Sequence, residues 1–263
     1  MVVKFGGGLF LTRSQFKFLL GFIIFFVVVG VFSYVGLSYF EKSKKSFDGF
    51  LLVDGSEYWQ YSNDSWKETN NIEEIDWHKF HVFSQNVYIN DYYLSFYNNK
   101  YYFFDVDKNS YKVERPFLAS SVESNISVVN YIDSSVSDDD MNIIGTYLST
   151  NNILYHGNYS VLKKYVVDLD GKSTDDYVYV ISNQLYSDED AFYIVFAYYD
   201  DKIVTIDKQT GGDSFYDYDL AWVINVKSNG IHDIILKKYY KDNYVYYLYQ
   251  YSKKNGYIRL FSN

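Results

Sequence analysis

A long run of apolar residues near the amino terminus constrains this chain more than any other feature. Residues 18–40 contain no charged side chain and are dominated by Phe, Val, Ile, Leu and Gly. At about 1.5 Å of rise per residue, a helix of this length crosses a hydrocarbon core of about 30 Å. A buried core helix and the shorter apolar region of a cleaved signal peptide are the alternatives. The run predicts a single, uncleaved transmembrane helix.

The segments on either side of this run predict how the rest of the chain is arranged. Three basic residues precede the run and three follow it closely, so the positive-inside rule does not by itself choose an orientation. A short segment before the helix and a large region after it are the usual plan of a signal anchor. We expect residues 1–17 to be a short tail inside the cell and residues 41–48 a juxtamembrane linker. Residues 49–263 are then an extracytoplasmic domain of a cell-membrane protein.

Composition and charge exclude several classes of protein. The chain of 263 residues contains no Cys, which excludes disulfide scaffolds, Cys-ligated metal sites and cysteine enzymes. The whole chain carries a net charge of −9, and residues 46–263 alone carry −14. A domain this acidic is a poor partner for the phosphates of nucleic acid. We therefore expect no nucleic-acid partner.

The region after the apolar run has the pattern of a β protein. Short runs of β-branched and aromatic residues alternate with clusters of Asn, Asp, Gly and Ser, and no amphipathic helix of ten or more residues stands out. The clearest runs are residues 100–106, 176–182, 191–198, 202–206, 231–236 and 244–251. The 32 Tyr residues either form surfaces that stack on sugars or simply fill strand positions. The prediction is a mostly-β domain.

One loop carries carboxylates at a spacing that suits a metal ion. Asp168, Asp170 and Asp176 stand at the first, third and ninth places of a nine-residue segment that leads directly into an apolar strand. Calcium takes about six to eight oxygen ligands, and alternate side chains of a tight turn converge on one point. Lys172 stands at the fifth place, where its ammonium group can pair with the carboxylates instead. A calcium loop and a turn held by its own hydrogen bonds both stay open.

A second segment repeats part of this pattern 57 residues further along the chain. Asn225, Asn229 and Asp233 occupy its first, fifth and ninth places, and an apolar strand again follows. Lys227 stands at the third place, so the ligand set is weaker than in the first loop. A spacing in this range indicates repeated units that each bury a face on the next.

The two loops resemble the FG-GAP/VCBS repeat of integrin-like β-propellers and of many bacterial surface proteins. The resemblance covers residues 140–263. It implies a β-propeller-like repeat domain, small or incomplete, after the transmembrane helix. It also implies calcium ligands at Asp168, Asp170 and Asp176, with Asn225, Asn229 and Asp233 in the weaker second loop.

The function expected from these features is binding rather than catalysis. The chain contains no nucleophile elbow, zinc-protease motif, phosphate-binding loop or dinucleotide fingerprint. We expect a single-pass surface protein whose β-repeat domain binds or scaffolds a protein or glycan partner outside the membrane. A structural component of an envelope complex and a membrane-anchored enzyme acting on envelope glycans are the alternatives.

Overall fold

The computed structural model divides the chain into two compact units, Met1–Phe47 and Asp48–Asn263. It describes residues 3–4, 10–11, 49–69, 77–84, 86–97, 100–122, 124, 126–153, 159–172, 175–183, 191–211, 217–226, 230–240 and 243–260. In the first unit, β1 (Val3–Lys4) pairs antiparallel with β2 (Phe10–Leu11). Within these described residues, the second unit contains three antiparallel sheets and one helix, α1 (Asp138–Thr150).

The prediction of a transmembrane helix is corrected by this structure. No helix in the described ranges is long and apolar enough to cross a membrane. The helix described there, α1, has 13 residues, which span only about 20 Å, and three aspartates form its first turn. Residues 18–40, on which the prediction rests, lie outside the described residues.

The prediction of a mostly-β protein is confirmed, but the β-propeller-like arrangement is wrong. Propellers place about four to eight four-stranded blades around a channel. Over the described residues, the three sheets of the second unit have eight, five and five strands, each in a linear order, and none is closed.

Sheet I contains the first eight strands of the second unit in the order β5-β4-β3-β10-β6-β7-β8-β9. These strands are β3 (Gly49–Val53), β4 (Glu57–Ser62), β5 (Ser65–Glu68), β6 (Lys79–Ser84), β7 (Val87–Tyr97), β8 (Lys100–Phe104), β9 (Ser110–Tyr111) and β10 (Phe117–Ser121). In β3, the consecutive residues Leu51, Leu52 and Val53 are all buried. Neighbouring side chains of a strand point to opposite faces, so both faces of sheet I are covered here.

Sheets II and III share one plan, in which a short early strand precedes four consecutive antiparallel strands. Sheet II consists of β12 (Tyr131–Asp133), β13 (Ser160–Val167), β14 (Asp176–Ser182), β15 (Phe192–Tyr199) and β16 (Lys202–Thr210). Sheet III consists of β11 (Ile126–Val129), β17 (Asp217–Val226), β18 (Asp233–Tyr240), β19 (Asn243–Ser252) and β20 (Gly256–Arg259). The two predicted calcium loops join β13 to β14 and β17 to β18, which are corresponding positions in the two sheets.

Sheet III lies between the other two sheets. One core, which includes Val195 and Leu236, fills the space between sheets II and III. Another core, which includes Trp66 and Trp222, fills the space between sheets I and III. Burial of these apolar faces on both sides explains why β17 and β18 contain runs of consecutive buried residues.

Helix α1 covers the outer face of sheet II. The sequence pattern did not predict this helix. Ser137 begins the helix as its N-cap, and the side chain of Asp140 bonds back to the backbone N–H of Ser137 in a capping box. Tyr147 of the helix stacks on Phe196 of β15, with ring centroids 4.3 Å apart. The helix therefore buries a hydrophobic face that the sheet would otherwise expose.

Many tyrosines of the second unit are core residues whose hydroxyl groups donate to aspartates. Between sheets II and III, the Oδ2 atom of Asp207 accepts hydrogen bonds from Tyr249 (2.7 Å) and Tyr218 (3.1 Å) and from the ammonium group of Lys238 (2.9 Å). A tyrosine ring fills apolar space while its hydroxyl group still requires a polar partner. Pairing with Asp satisfies both needs, so these tyrosines are structural.

Candidate functional site

A cleft of about 410 Å³ lies where residues of all three sheets meet in the second unit. Its volume is within the usual range for small-molecule sites. Most of its lining comes from sheets II and III, and two residues come from the connections of sheet I. The lining residues are Asn86, Pro116, Tyr131, Asp133, Tyr165, Asp219, Leu220, Ala221, Trp222, Lys237, Tyr239 and Tyr246.

A carboxylate with fixed partners, Asp219, lies in the lining of the cleft. Its Oδ1 atom accepts from the ammonium group of Lys163 (2.5 Å) and from the hydroxyl group of Tyr165 (3.3 Å), and its Oδ2 atom accepts from Tyr239 (2.6 Å). Burial alone would raise the pKa of Asp219, but these hydrogen bonds and the charge of Lys163 hold the pKa below its ordinary value. Asp219 is therefore ionised at neutral pH, and it orients two tyrosine rings.

A tyrosine ring in a fixed orientation forms another part of the lining. The hydroxyl group of Tyr131 donates to the backbone carbonyl of Leu220 (2.5 Å). Its ring packs edge-to-face against Tyr165, with centroids 5.4 Å apart. Burial raises the pKa of Tyr131 to about 12, so the phenol stays neutral. The ring is thus a rigid aromatic surface.

A lysine surrounded by tyrosines also lines the cleft. The Nζ atom of Lys237 lies 4.8, 3.9 and 5.9 Å from the ring centroids of Tyr239, Tyr244 and Tyr246. These distances suit cation–π attraction, which holds an ammonium group over aromatic faces. The cleft thus combines two carboxylates, Asp133 and Asp219, with an ammonium group and several aromatic rings.

The first predicted calcium loop brings its three carboxylates together. The oxygen atoms that Asp168, Asp170 and Asp176 offer lie within 4.8 Å of one another. Asp176 is almost fully buried, and its Oδ2 atom accepts from the backbone N–H of Leu169 (2.8 Å). Burial, together with the negative charges of Asp170 and Asp168, raises the pKa of Asp176 to about 6 despite that hydrogen bond. A cation at this point would relieve the repulsion.

The ammonium group of Lys172, in the same loop, competes with a cation for these carboxylates. The Nζ atom of Lys172 lies 2.6 Å from Oδ2 of Asp170, and this hydrogen bond raises the pKa of the lysine. Backbone N–H groups of the loop also donate to two carboxylates, that of Gly171 to Asp168 (2.7 Å) and that of Lys172 to Asp170 (3.0 Å). The three carboxylates fit a hard cation such as calcium, and further oxygens would have to complete its coordination.

Of the ligands predicted in the second loop, the two that the structure describes, Asn225 and Asp233, have other partners. Asn225 lies in β17, where it pairs with Ser127 of β11, and Asn229 lies outside the described residues. Asp233 is fully buried and accepts from Nε1 of Trp66 (2.8 Å) and from the backbone N–H of Tyr251 (2.8 Å). Both oxygens of Asp233 thus hold structural hydrogen bonds.

The two loops are nevertheless neighbours. His232, immediately before Asp233, donates through Nδ1 to the backbone carbonyl of Asp168 (2.8 Å). Its backbone N–H donates to the carbonyl of Leu169 (2.8 Å). The second loop therefore supports the backbone that carries the first carboxylate of the cluster.

The cleft was missed in the sequence because nothing local marks it. Its residues run from Asn86 to Tyr246, and the Lys163–Asp219 pair joins positions 56 residues apart. The one relevant signal in the sequence is the abundance of Tyr, for which stacking on sugars is one of the two interpretations.

Comparison of the chain with protein-family models, with curated proteins and with solved structures finds no match. The resemblance to FG-GAP/VCBS repeats therefore stays a prediction from the loops alone, and the function is inferred from the cleft and the carboxylate cluster.

Proposed function

We propose that this protein is a binding protein that holds a carbohydrate-like ligand in the cleft between its three sheets. The observation that carries the proposal is the fixed aromatic lining beside an ionised carboxylate. Sugar rings offer apolar faces that stack on aromatic rings and hydroxyl groups that bond to carboxylates and amides. The cleft supplies these partners through Tyr131, Asp219 and Asn86.

The lining is organised before the ligand arrives. Asp219 holds the hydroxyl groups of Tyr165 and Tyr239, and Tyr131 is held by the backbone of β17. Side chains that are already ordered lose little conformational entropy on binding, which leaves more of the interaction energy for affinity. The cleft is therefore suited to recognition.

Recognition fits the cleft better than hydrolysis of a glycan. Glycoside hydrolysis needs one carboxyl group whose raised pKa keeps it protonated as the acid. Of the two carboxylates in the lining, Asp133 is exposed to solvent, outside the apolar surroundings that raise the pKa of a catalytic acid. The pKa of Asp219 is lowered, and three donors already occupy its oxygens. Asp219 is thus a poor proton donor and a good positioning group.

The expected result of a binding experiment follows from the aromatic lining. Isothermal titration calorimetry of the full chain against neutral, amino and acidic saccharides is expected to give saturable binding of at least one of them. Tyr131→Ala is expected to weaken that binding about 10-fold, because an aromatic contact contributes roughly 0.5–1.5 kcal/mol.

Tyr97→Ala is the matched control, since this tyrosine of β7 is exposed and does not line the cleft. A thermal melt of each variant separates loss of binding from loss of folding. No saturable binding by any saccharide, or an equal loss in Tyr97→Ala, would contradict the proposal.

The carboxylate cluster supports a second role, the binding of calcium at the loop between β13 and β14. The observation in its favour is the convergence of three carboxylates, one of them buried with its pKa raised to about 6. Calcium bound there would stiffen the junction of the two neighbouring loops, because His232 of the second loop bonds to the backbone of the first.

Removal of the competing lysine tests this role. Lys172→Gln is expected to enlarge the rise in melting temperature that millimolar calcium produces, because the ammonium group no longer pairs with Asp170. Asp168→Ala is expected to abolish the rise. Lys100→Gln, which changes an exposed lysine of sheet I, is the charge-matched control. A rise that survives Asp168→Ala would place the calcium elsewhere.

A further inference from the structure

The lysine in the cleft, Lys237, has aromatic neighbours, and among the described residues no carboxylate forms an ion pair with it. Lys237 is half-buried as a residue, and its ammonium group lies over the rings of Tyr239, Tyr244 and Tyr246. An ammonium group with these surroundings keeps N–H donors for an anion that enters the cleft.

Two other polar groups of the cleft lack partners in the described part of the chain. Tyr246 is 2% exposed, and its hydroxyl group makes no hydrogen bond there. The amide group of Asn86 hydrogen-bonds to Tyr131, but its buried Oδ1 atom accepts nothing from any described residue. A buried polar atom without a partner costs about 1–3 kcal/mol and calls for an explanation. A ligand in the cleft would satisfy both atoms.

We infer that the ligand is an acidic saccharide, whose carboxylate group accepts hydrogen bonds from Lys237 and Tyr246. A hydroxyl group of the same ligand donates to Oδ1 of Asn86. This inference rests on the proposed function and names the class of sugar that the cleft prefers. Charge-assisted hydrogen bonds of this kind are roughly twice as strong as neutral ones, so the acid group dominates the selectivity.

Two carboxylates line the cleft beside Lys237, namely Asp133 and Asp219, which stands opposite Lys237 in the β17–β18 pair. Asp133 is exposed, so water and salt screen its charge. Asp219 is compensated by Lys163 at 2.5 Å. Asp54 accepts from Tyr244 (2.8 Å) and lies 3.6 Å from Nε of Arg115. A cationic ligand is the less suitable occupant, because Lys237 already occupies the aromatic faces that would attract it and repels a second positive charge.

The test compares three monosaccharides that differ in charge. Glucuronic acid, glucose and glucosamine are titrated into the full chain by calorimetry at neutral pH. Glucuronic acid is expected to bind about 10-fold more tightly than glucose, and glucosamine more weakly than either. The preference is expected to shrink as salt is added, because ions screen the pair.

Two variants assign the preference to the named residues. Lys237→Gln is expected to remove the difference between glucuronic acid and glucose. Tyr246→Phe keeps the ring and removes only the unpartnered hydroxyl group, so it is expected to melt at the wild-type temperature and to bind glucuronic acid about 5-fold more weakly. Lys254→Gln, at an exposed turn between β19 and β20, is the charge-matched control.

The outcomes separate this inference from the proposed function. Equal binding of glucose and glucuronic acid would overturn the acidic preference and leave saccharide binding in place. A preference that persists in Lys237→Gln would also overturn it. Absence of binding by all three sugars, together with the wider saccharide series, would overturn the proposed function and this inference with it.

Discussion

Replacing Asp140 by alanine is expected to lower the free energy of unfolding by about 3–5 kcal/mol, the usual cost of removing one member of a buried ion pair. Asp140 is 3% exposed. Its Oδ2 atom accepts from Nζ of Lys164 (2.8 Å), and its Oδ1 atom accepts from the hydroxyl group of Tyr179 (2.5 Å). Lys164 is itself buried, so alanine would leave an uncompensated ammonium group between α1 and sheet II.

The same carboxylate makes the stability of the protein depend on acidic pH. Burial would raise the pKa of Asp140, but hydrogen bonds from Lys164, Tyr179 and Ser137 hold it at about 2, below the ordinary 3.8. A carboxyl group whose pKa is lowered by folding contributes stability above its unfolded pKa and loses it as the pH falls through the folded value. The wild type should therefore lose this contribution between about pH 4 and pH 2, and Asp140→Ala should show a flatter profile.

Urea unfolding at neutral pH and at about pH 3 measures both effects. Asp139→Ala is the matched control, because this neighbour lies in the same helical turn but is exposed. It is expected to cost less than about 1 kcal/mol, the usual contribution of an acidic residue to the helix dipole. A similar cost for the two variants would show that the buried pair with Lys164 does not form.

Six strands of the second unit, β8, β14, β15, β16, β18 and β19, could be predicted because their signal is local. The runs at 176–182 and 202–206 correspond to β14 (Asp176–Ser182) and to the first part of β16 (Lys202–Thr210). Alternating and β-branched residues identify a strand without knowledge of its partner. The order of the strands has no such local signal, because β11 pairs with β17 across about a hundred residues. The propeller prediction was wrong because it concerned the order of the strands in the sheets.

Helix α1 was missed because one of its buried residues is charged. Its inward face consists of Asp140, Ile144, Tyr147 and Leu148, which have helical spacing. Three consecutive aspartates look like a solvated loop, and only the distant Lys164 and Tyr179 make burial of Asp140 favourable. Burial of Asp140 thus depends on two residues that are distant in the sequence, and the local pattern around Asp140 does not show them.

The two candidate sites also differ in whether the local sequence reveals them. The cluster of Asp168, Asp170 and Asp176 could be found because its members lie within nine residues of one loop. The cleft could not be found, because the position of Lys237 beside Tyr246 depends on the pairing of β18 with β19. Local spacing predicts a loop site, whereas a site between sheets depends on topology.

Asp233→Ala is expected to lower the free energy of unfolding by about 3 kcal/mol, whether or not calcium is present. The carboxylate is fully buried and joins two sheets, since Trp66 belongs to β5 of sheet I and Tyr251 to β19 of sheet III. Alanine would leave the indole N–H and a backbone N–H without their acceptor. Each such buried donor costs about 1–3 kcal/mol.

Urea unfolding with calcium and with chelator distinguishes this structural role from the predicted ligand role. Asp233→Ala is expected to lose the same stability in both conditions. Asp168→Ala is the comparison, because it removes a member of the carboxylate cluster and is expected to change mainly the response to calcium. Asp233→Asn keeps one acceptor oxygen and should fall between wild type and alanine. A loss in Asp233→Ala that appears only with calcium would return Asp233 to the ligand set, because hydrogen bonds to Trp66 and Tyr251 do not depend on a cation.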